Sequence, residues 1–402
     1  MTRNRASLGN TDSGRRSRTP SERIVHHANG TRNGKPASAG AALCAIAAGP
    51  VAGGQLVLLG KPLGGVIGVP GAVVGYVVLT AAVLGVLVAA CWLWRLRLSA
   101  GTAGAGAVLA GFAVLVAGVV DSAVVFTIAV LLAGAAAGPL LAAGRALAFD
   151  LGRRGPVCVH AAAMMGVAVA AWLAGRYYAN PGGALIIAGA LTSALGLITV
   201  LLARRGAGVL PPVRRAAIGA GAALPGYLAA GIAIGGVTLP ALHLLLFRWN
   251  ESGASQCLWL SVAAAPAVVA IVLPGRRPDA VPVLLILAAG GTVLVATAPG
   301  PVTLTIGLAL ALSAGVRAVT ALDEAVCLRF ARTDRTAVAG ITAAVAVLSG
   351  MAALGVVDLL GRLIGAGSAL TVSALCVLIV VWSSVRHSAR QRMHATAESS
   401  LS

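Results

Sequence analysis

Charge is what this sequence has least of. Only 10% of its 402 residues are Asp, Glu, Lys or Arg, where a soluble chain carries roughly 25%. So little charge cannot cover a water-soluble globule, and 58% hydrophobic residues with a mean hydropathy of +0.94 lead to the same conclusion. Acids are scarcer than bases, 11 against 30, and only Lys35 and Lys61 among the bases are lysines. A net charge of +19 would suggest nucleic acid in a soluble protein. The basic stretch 1–36 holds no aromatic residue, so a stacking platform for single strands is excluded.

Catalytic and metal signatures are missing too. The six cysteines, Cys44, Cys91, Cys158, Cys257, Cys327 and Cys376, are spread one per region without a CxxC pair, as expected of small apolar packing residues. No HExxH or GxSxG occurs. The stretch GQLVLLGKP (54–62) has the wrong glycine spacing for a phosphate loop, and Pro62 stands where a Ser or Thr would hold magnesium. The expectation is no enzyme, no cofactor, no metal and no nucleic acid.

What is present is a succession of apolar runs long enough to cross a bilayer. Gly and Pro punctuation and flanking charge divide them into twelve spans, near 38–60, 67–94, 101–120, 122–149, 157–175, 183–203, 217–247, 253–274, 280–298, 301–328, 336–360 and 364–385. The predicted fold class is an all-α polytopic membrane protein of about twelve transmembrane helices. Alternate loops and both tails hold 24 basic residues, against 4 on the opposite side. The positive-inside rule then places both termini in the cytoplasm and the chain in the cell membrane.

A shift of 181 positions carries Arg95 onto Arg276, Arg154 onto Arg335 and Arg205 onto Arg386, the even spacing that two six-helix halves require. The expected organisation is a disordered basic cytoplasmic tail (1–36), a first half (37–203), a cytoplasmic linker with Pro211-Pro212 (204–216), a second half (217–385) and a cytoplasmic tail (386–402).

Within the spans, 301–328 is the polar one. Arg317, Thr320 and Glu324 share a face, with Asp323 about 100° round. From Val302, Arg317 lies about 22 Å along the axis and Glu324 about 33 Å. Arg317 is therefore expected inside the membrane, lining a polar pathway or snorkelling, and the two carboxylates at the cytoplasmic border. Gln55 in the first span and His243 in the seventh are further pathway candidates, His243 because an imidazole titrates near neutrality. Arg145 and His160 fall at cytoplasmic ends, and Asp121 and Asp358 at extracellular ends, where wetting costs little. Four small-xxx-small pairs, Gly49/Gly53, Gly71/Gly75, Gly134/Gly138 and Gly231/Gly235, suit close helix packing.

With two halves in place, the chain after residue 37 resembles the major facilitator superfamily of secondary transporters. The segment GAAAGPLLAAGRALAFDLGRRGPV (134–157) looks like the end of that family's fourth helix and the basic loop after it. The loop CWLWRLRLS (91–99) keeps Arg95 and Arg97 but lacks the family's Asp and glycines. LPGRRPD (273–279) keeps Arg276, Arg277 and Asp279 in a disturbed order. The antiporter signature of the fifth helix is absent from AAAMMGVAVAAWLAG (161–175), and the similar GPVAGG (49–54) lies in the first span. The resemblance implies a cavity lined by spans 1, 4, 7 and 10, with cytoplasmic gate loops at Arg95, Arg97, Arg276, Arg277 and Asp279. It also implies alternating access for a small solute, with the bilayer and a coupling proton as partners and export favoured slightly over import. The alternative is a degenerate relative that no longer transports and serves a structural or regulatory role.

Overall fold

The computed structural model describes residues 35–95, 99–149, 152, 154–203, 223–273, 278–330 and 332–401. These are helical almost throughout: α1 (Lys35–Leu58), α2 (Gly60–Ile67), α3 (Gly71–Arg95), α4 (Ala100–Val119), α5 (Ala123–Phe149), α6 (Arg154–Arg176) and α7 (Pro181–Ala203). After residues 204–222 come α8 (Leu224–Trp249), α9 (Gly253–Val272), α10 (Val281–Thr297), α11 (Pro301–Arg329), α12 (Arg332–Ile364) and α13 (Ala366–Leu401). Ten are long and apolar enough to cross a membrane, and Ile46–Leu58 and Val281–Thr297 are shorter apolar helices. Twelve spans result, with α2 as an added piece.

The sequence sets these ends by ordinary capping. Ser99 and Ser252 accept backbone N–H bonds from Thr102 and Ser255 at the starts of α4 and α9. Pro301 opens α11 after Gly300. Gly68 and Gly365 take left-handed φ values of 73° and 89° where α2 and α12 end. Two expected boundaries move. Helix already begins at Lys35, and the segment 386–402 set apart as a tail continues α13 to Leu401. The rest of the basic N-terminal stretch and the linker 204–216 lie outside the described residues.

The packing follows the repeat. In the first half α4 packs on α7, α1 on α6, α3 on α5 and α4 on α5. In the second, α10 packs on α13, α8 on α12, α9 on α11 and α10 on α11. These are the same four pairings after a shift of six spans. Large apolar side chains face outward over the whole bundle, among them Leu109, Phe112, Phe247, Ile379 and Trp382. Such a surface needs lipid, not water. Across the halves, α6 packs on α9 and α11, and α12 packs on α3 and α5.

Candidate functional site

The site forms at the end of the bundle where α1 begins and where α5 and α11 end. Its centre is Asp323 of α11, whose exposure is 0%. Arg145, near the end of α5, donates from Nη2 to both carboxylate oxygens at 2.8 Å. His160 of α6 places Nε2 2.6 Å from Oδ2, and the hydroxyl of fully buried Tyr227, early in α8, donates to Oδ1 at 2.5 Å. Thr342 of α12, also buried, hydrogen-bonds Tyr227 in turn. One carboxylate thus gathers a guanidinium and an imidazole from the first half, and a phenol from its own.

Each helix turns its polar residue inward for a local reason. Arg145 and Phe149 are one turn apart, so the ring lies beneath the guanidinium, 5.1 Å from its carbon. Phe149 also joins Val326, Cys327 and Val338 in an apolar seal across the halves. Small residues, Ala142 and Ala146, flank Arg145 and let neighbouring helices close in. Burial makes this pair stiff. Removing one partner of a buried ion pair costs about 3–5 kcal/mol, because the other charge is left stranded. Among the described residues, two buried polar atoms lack a hydrogen-bond partner, Arg145 Nε and Gln55 Oε1.

No family model matches the sequence, and no curated protein matches it. Solved structures do. The human organic anion transporter MFSD10 (TETRAN) superposes with a TM-score of 0.66 at 17% identity, over 87% of this chain and 99% of that one. A POT family transporter in complex with a thioalcohol-conjugated peptide gives 0.68 at 12% identity, over 88% and 96%. The E. coli fucose:proton symporter FucP gives 0.56 at 14% identity, over 86% and 97%. The fold is that of the major facilitator superfamily.

In the major-facilitator frame, Asp323, Arg145 and Tyr227 come from spans 10, 4 and 7, and His160 from span 5. The expectation that Arg145 and His160 are wetted at helix ends is overturned. Their side chains are only 15% and 11% exposed, and both bind Asp323. Asp323 and Glu324 are likewise buried between helices, not bathed at a border; Glu324 is 9% exposed. Periodicity gives the face of one helix, and only the neighbouring helices decide whether that face meets water.

Arg317 is half-buried, and its Nη1 donates to the carbonyl of Ala270 in α9 at 2.6 Å. That carbonyl has no helical donor four residues on, because position 274 is proline, which carries no N–H. Arg317 therefore caps the end of α9, where a cation also complements the helix dipole. Thr320 is buried and returns its hydroxyl to Val316 of its own helix. Gln55 is buried and donates to Ala170 of α6 at 2.7 Å. His243 sits far from Asp323, 3.7 Å from Asp358, which also pairs with Arg362. Of the gate loops, Arg97, Arg276 and Arg277 lie outside the described residues, as does the side chain of Arg95, which ends α3. Asp279 is exposed in a short 3-10 turn.

Of the glycine pairs, Gly134/Gly138 and Gly231/Gly235 make close approaches, to α3 and α12. At Gly53 and Gly75 an added Cβ would meet nothing within 4 Å. Tyr227 was missed entirely from sequence. Its signal was weak: a phenol three residues into an apolar helix, with nothing to say that a carboxylate 96 positions on would meet it.

Proposed function

We propose that this chain is a secondary active transporter moving a small solute across the cell membrane by alternating access, with both termini cytoplasmic. The observation that carries the reading is the Asp323 cluster, which ties the two halves together at one end. At the opposite end α6 and α9 also join the halves, with Gly175 set against Ala254 and Leu258. Rocking between the halves must break Arg145 and His160 away from Asp323. The cluster therefore acts as the latch of the arginine-rich, cytoplasmic end.

A coupling proton fits the same latch, since protonating Asp323 removes the charge that holds Arg145. One structural neighbour is a fucose:proton symporter, which supports coupling of that kind, and another is an organic anion transporter, which supports a small organic solute. Export is the direction favoured. Asp323 stands at the centre of the pathway, with Glu324 and Thr320 on the same helix and Gln55 deeper in the bundle, against Ala170 of α6. Arg317 acts on the pathway from outside, through the end of α9, and Arg95 and Asp279 are assigned to the cytoplasmic gate loops. The alternative, a relative that no longer transports, has the eroded loop signatures in its favour. A static scaffold has little use for a buried ion pair whose replacement by apolar residues is often neutral or stabilising.

The test is a comparison of solute accumulation in cells carrying the native chain, the Asp323→Asn chain or neither. Native cells should differ from empty cells in at least one solute, and Asp323→Asn should abolish that difference or its dependence on the pH gradient. Equal profiles in all three, with inserted protein present, would favour the non-transporting alternative. In the same cells a reporter active only outside the membrane should signal when fused at Asn250 and stay silent at Ala207.

A further inference from the structure

The polar cluster is divided unevenly between the halves. Arg145 and His160 both belong to the first half, while Asp323 and Tyr227 belong to the second. When the halves part at this end, Asp323 keeps the Tyr227 hydroxyl, and Tyr227 keeps Thr342. Among the described residues of its own half, Arg145 keeps only the ring of Phe149. The first half has little to offer it. Between positions 37 and 203 the only acids are Asp121 and Asp150. Asp121 precedes α5, about 36 Å from Arg145 along the helix axis. Asp150 lies outside the described residues.

Even in the closed arrangement Arg145 is incompletely used. Asp323 is bound through Nη2 alone, with both oxygens on one nitrogen, and the buried Nε has no partner. A guanidinium offers its parallel donors, Nε with Nη2, to a carboxylate approaching side-on. Asp323, fixed on α11, does not use that edge.

We propose that Arg145 and His160 form a carboxylate-binding site that Asp323 occupies only while this end is closed, so that the transported solute is an organic anion which takes Asp323's place. This rests on the transporter reading above and adds the substrate class to it. The solute carboxylate supplies the counter-charge that the first half lacks, which is what lets the latch open without stranding Arg145. A cationic solute on Asp323 is the opposite assignment. It is disfavoured because Asp323 retains a donor in its own half and Arg145 retains no acceptor among the described residues of its half.

An internal competitor has a distinctive signature: removing it tightens the ligand. The test uses the full purified chain in detergent, with benzoate as probe, benzamide as its neutral isostere and benzylammonium as its cationic counterpart, and reads affinity from the ligand-dependent shift in thermal unfolding. Native protein should prefer benzoate to benzamide. Asp323→Asn should bind benzoate about tenfold tighter or more, and Arg145→Gln should lose the preference. Unchanged or lost benzoate binding in Asp323→Asn overturns the proposal, as does tighter binding of benzylammonium than of benzoate by the native chain. If Asp323→Asn does not fold, His160→Gln carries the test, because it leaves the Arg145–Asp323 pair in place. The benzoate-over-benzamide preference should then fall severalfold, and an unchanged preference overturns the site. Vesicles containing the full chain separate this proposal from the one it rests on. Benzoate binding without flux of any carboxylate removes transport and leaves the site. Flux of another solute that benzoate does not inhibit removes the site and leaves transport.

Discussion

The pair α3–α5 and its repeat equivalent α9–α11 make the same contact by different means. In the first half the backbones touch: a Cβ on Gly134 would stand 2.1 Å from the Ala81 carbonyl, and one on Gly138 would stand 2.5 Å from that of Gly85. Shifted by 181, Gly85 and Gly138 become Pro266 and Val319. There α11 reaches α9 through a long side chain, the guanidinium of Arg317 donating to the open carbonyl of Ala270. The same shift carries Arg145 onto Val326, and it carries Ala142 onto Asp323. Two halves built on one plan therefore differ in how they are packed, and they differ more in charge. One lends the cations and the other the anion, so the latch between them has no internal copy.

The largest expected effect strikes that charge division. Asp323→Leu alone strands Arg145 and should cost about 3–5 kcal/mol of stability, whereas Asp323→Leu with Arg145→Met should recover most of it. Thermal unfolding of the inserted protein reads both. Transport should stay lost in the double variant, and a double variant that transports normally would break the claim that the halves must exchange charge here.

A smaller effect compares the packing at repeat-equivalent glycines. Gly134→Ala drives a methyl into the backbone oxygen of Ala81 and should cost on the order of 1–3 kcal/mol. Gly315→Ala meets only the side chain of Ile234, 2.9 Å away, which can turn aside. Equal losses of unfolding temperature in the two variants would show that the backbone approach at Gly134 is no tighter in solution than the side-chain contact of Gly315 with α8.

A third effect, similar in stability but without loss of flux, concerns the arginine bridge. Arg317→Leu leaves the Ala270 carbonyl unsatisfied and should cost about 1–3 kcal/mol, with Arg317→Lys restoring part of it. Solute flux per inserted molecule should persist in both. A stable Arg317→Leu protein with no flux would return Arg317 to the pathway and leave α9 without its proposed cap.

Composition and spacing by themselves determined that the chain lies in a membrane, that its helices number about twelve, and that they repeat as two sets of six. Those features are one-dimensional: span length, punctuation by Gly and Pro, and the tally of arginines at each end are all carried along the chain. Arg317 and Asp323 could be singled out because charge inside an apolar run is costly wherever it points. The partners were not legible. Asp323 meets residues 178, 163 and 96 positions away, and Arg317 meets a carbonyl left open by a proline 43 positions before it. Whether Arg145 is wetted or buried depends on α6, α8, α11 and α12 closing around it, and no period in α5 encodes that. Only the tertiary structure decided it, because hydrogen bonds and desolvation act between whichever side chains the packed helices bring within about 3 Å.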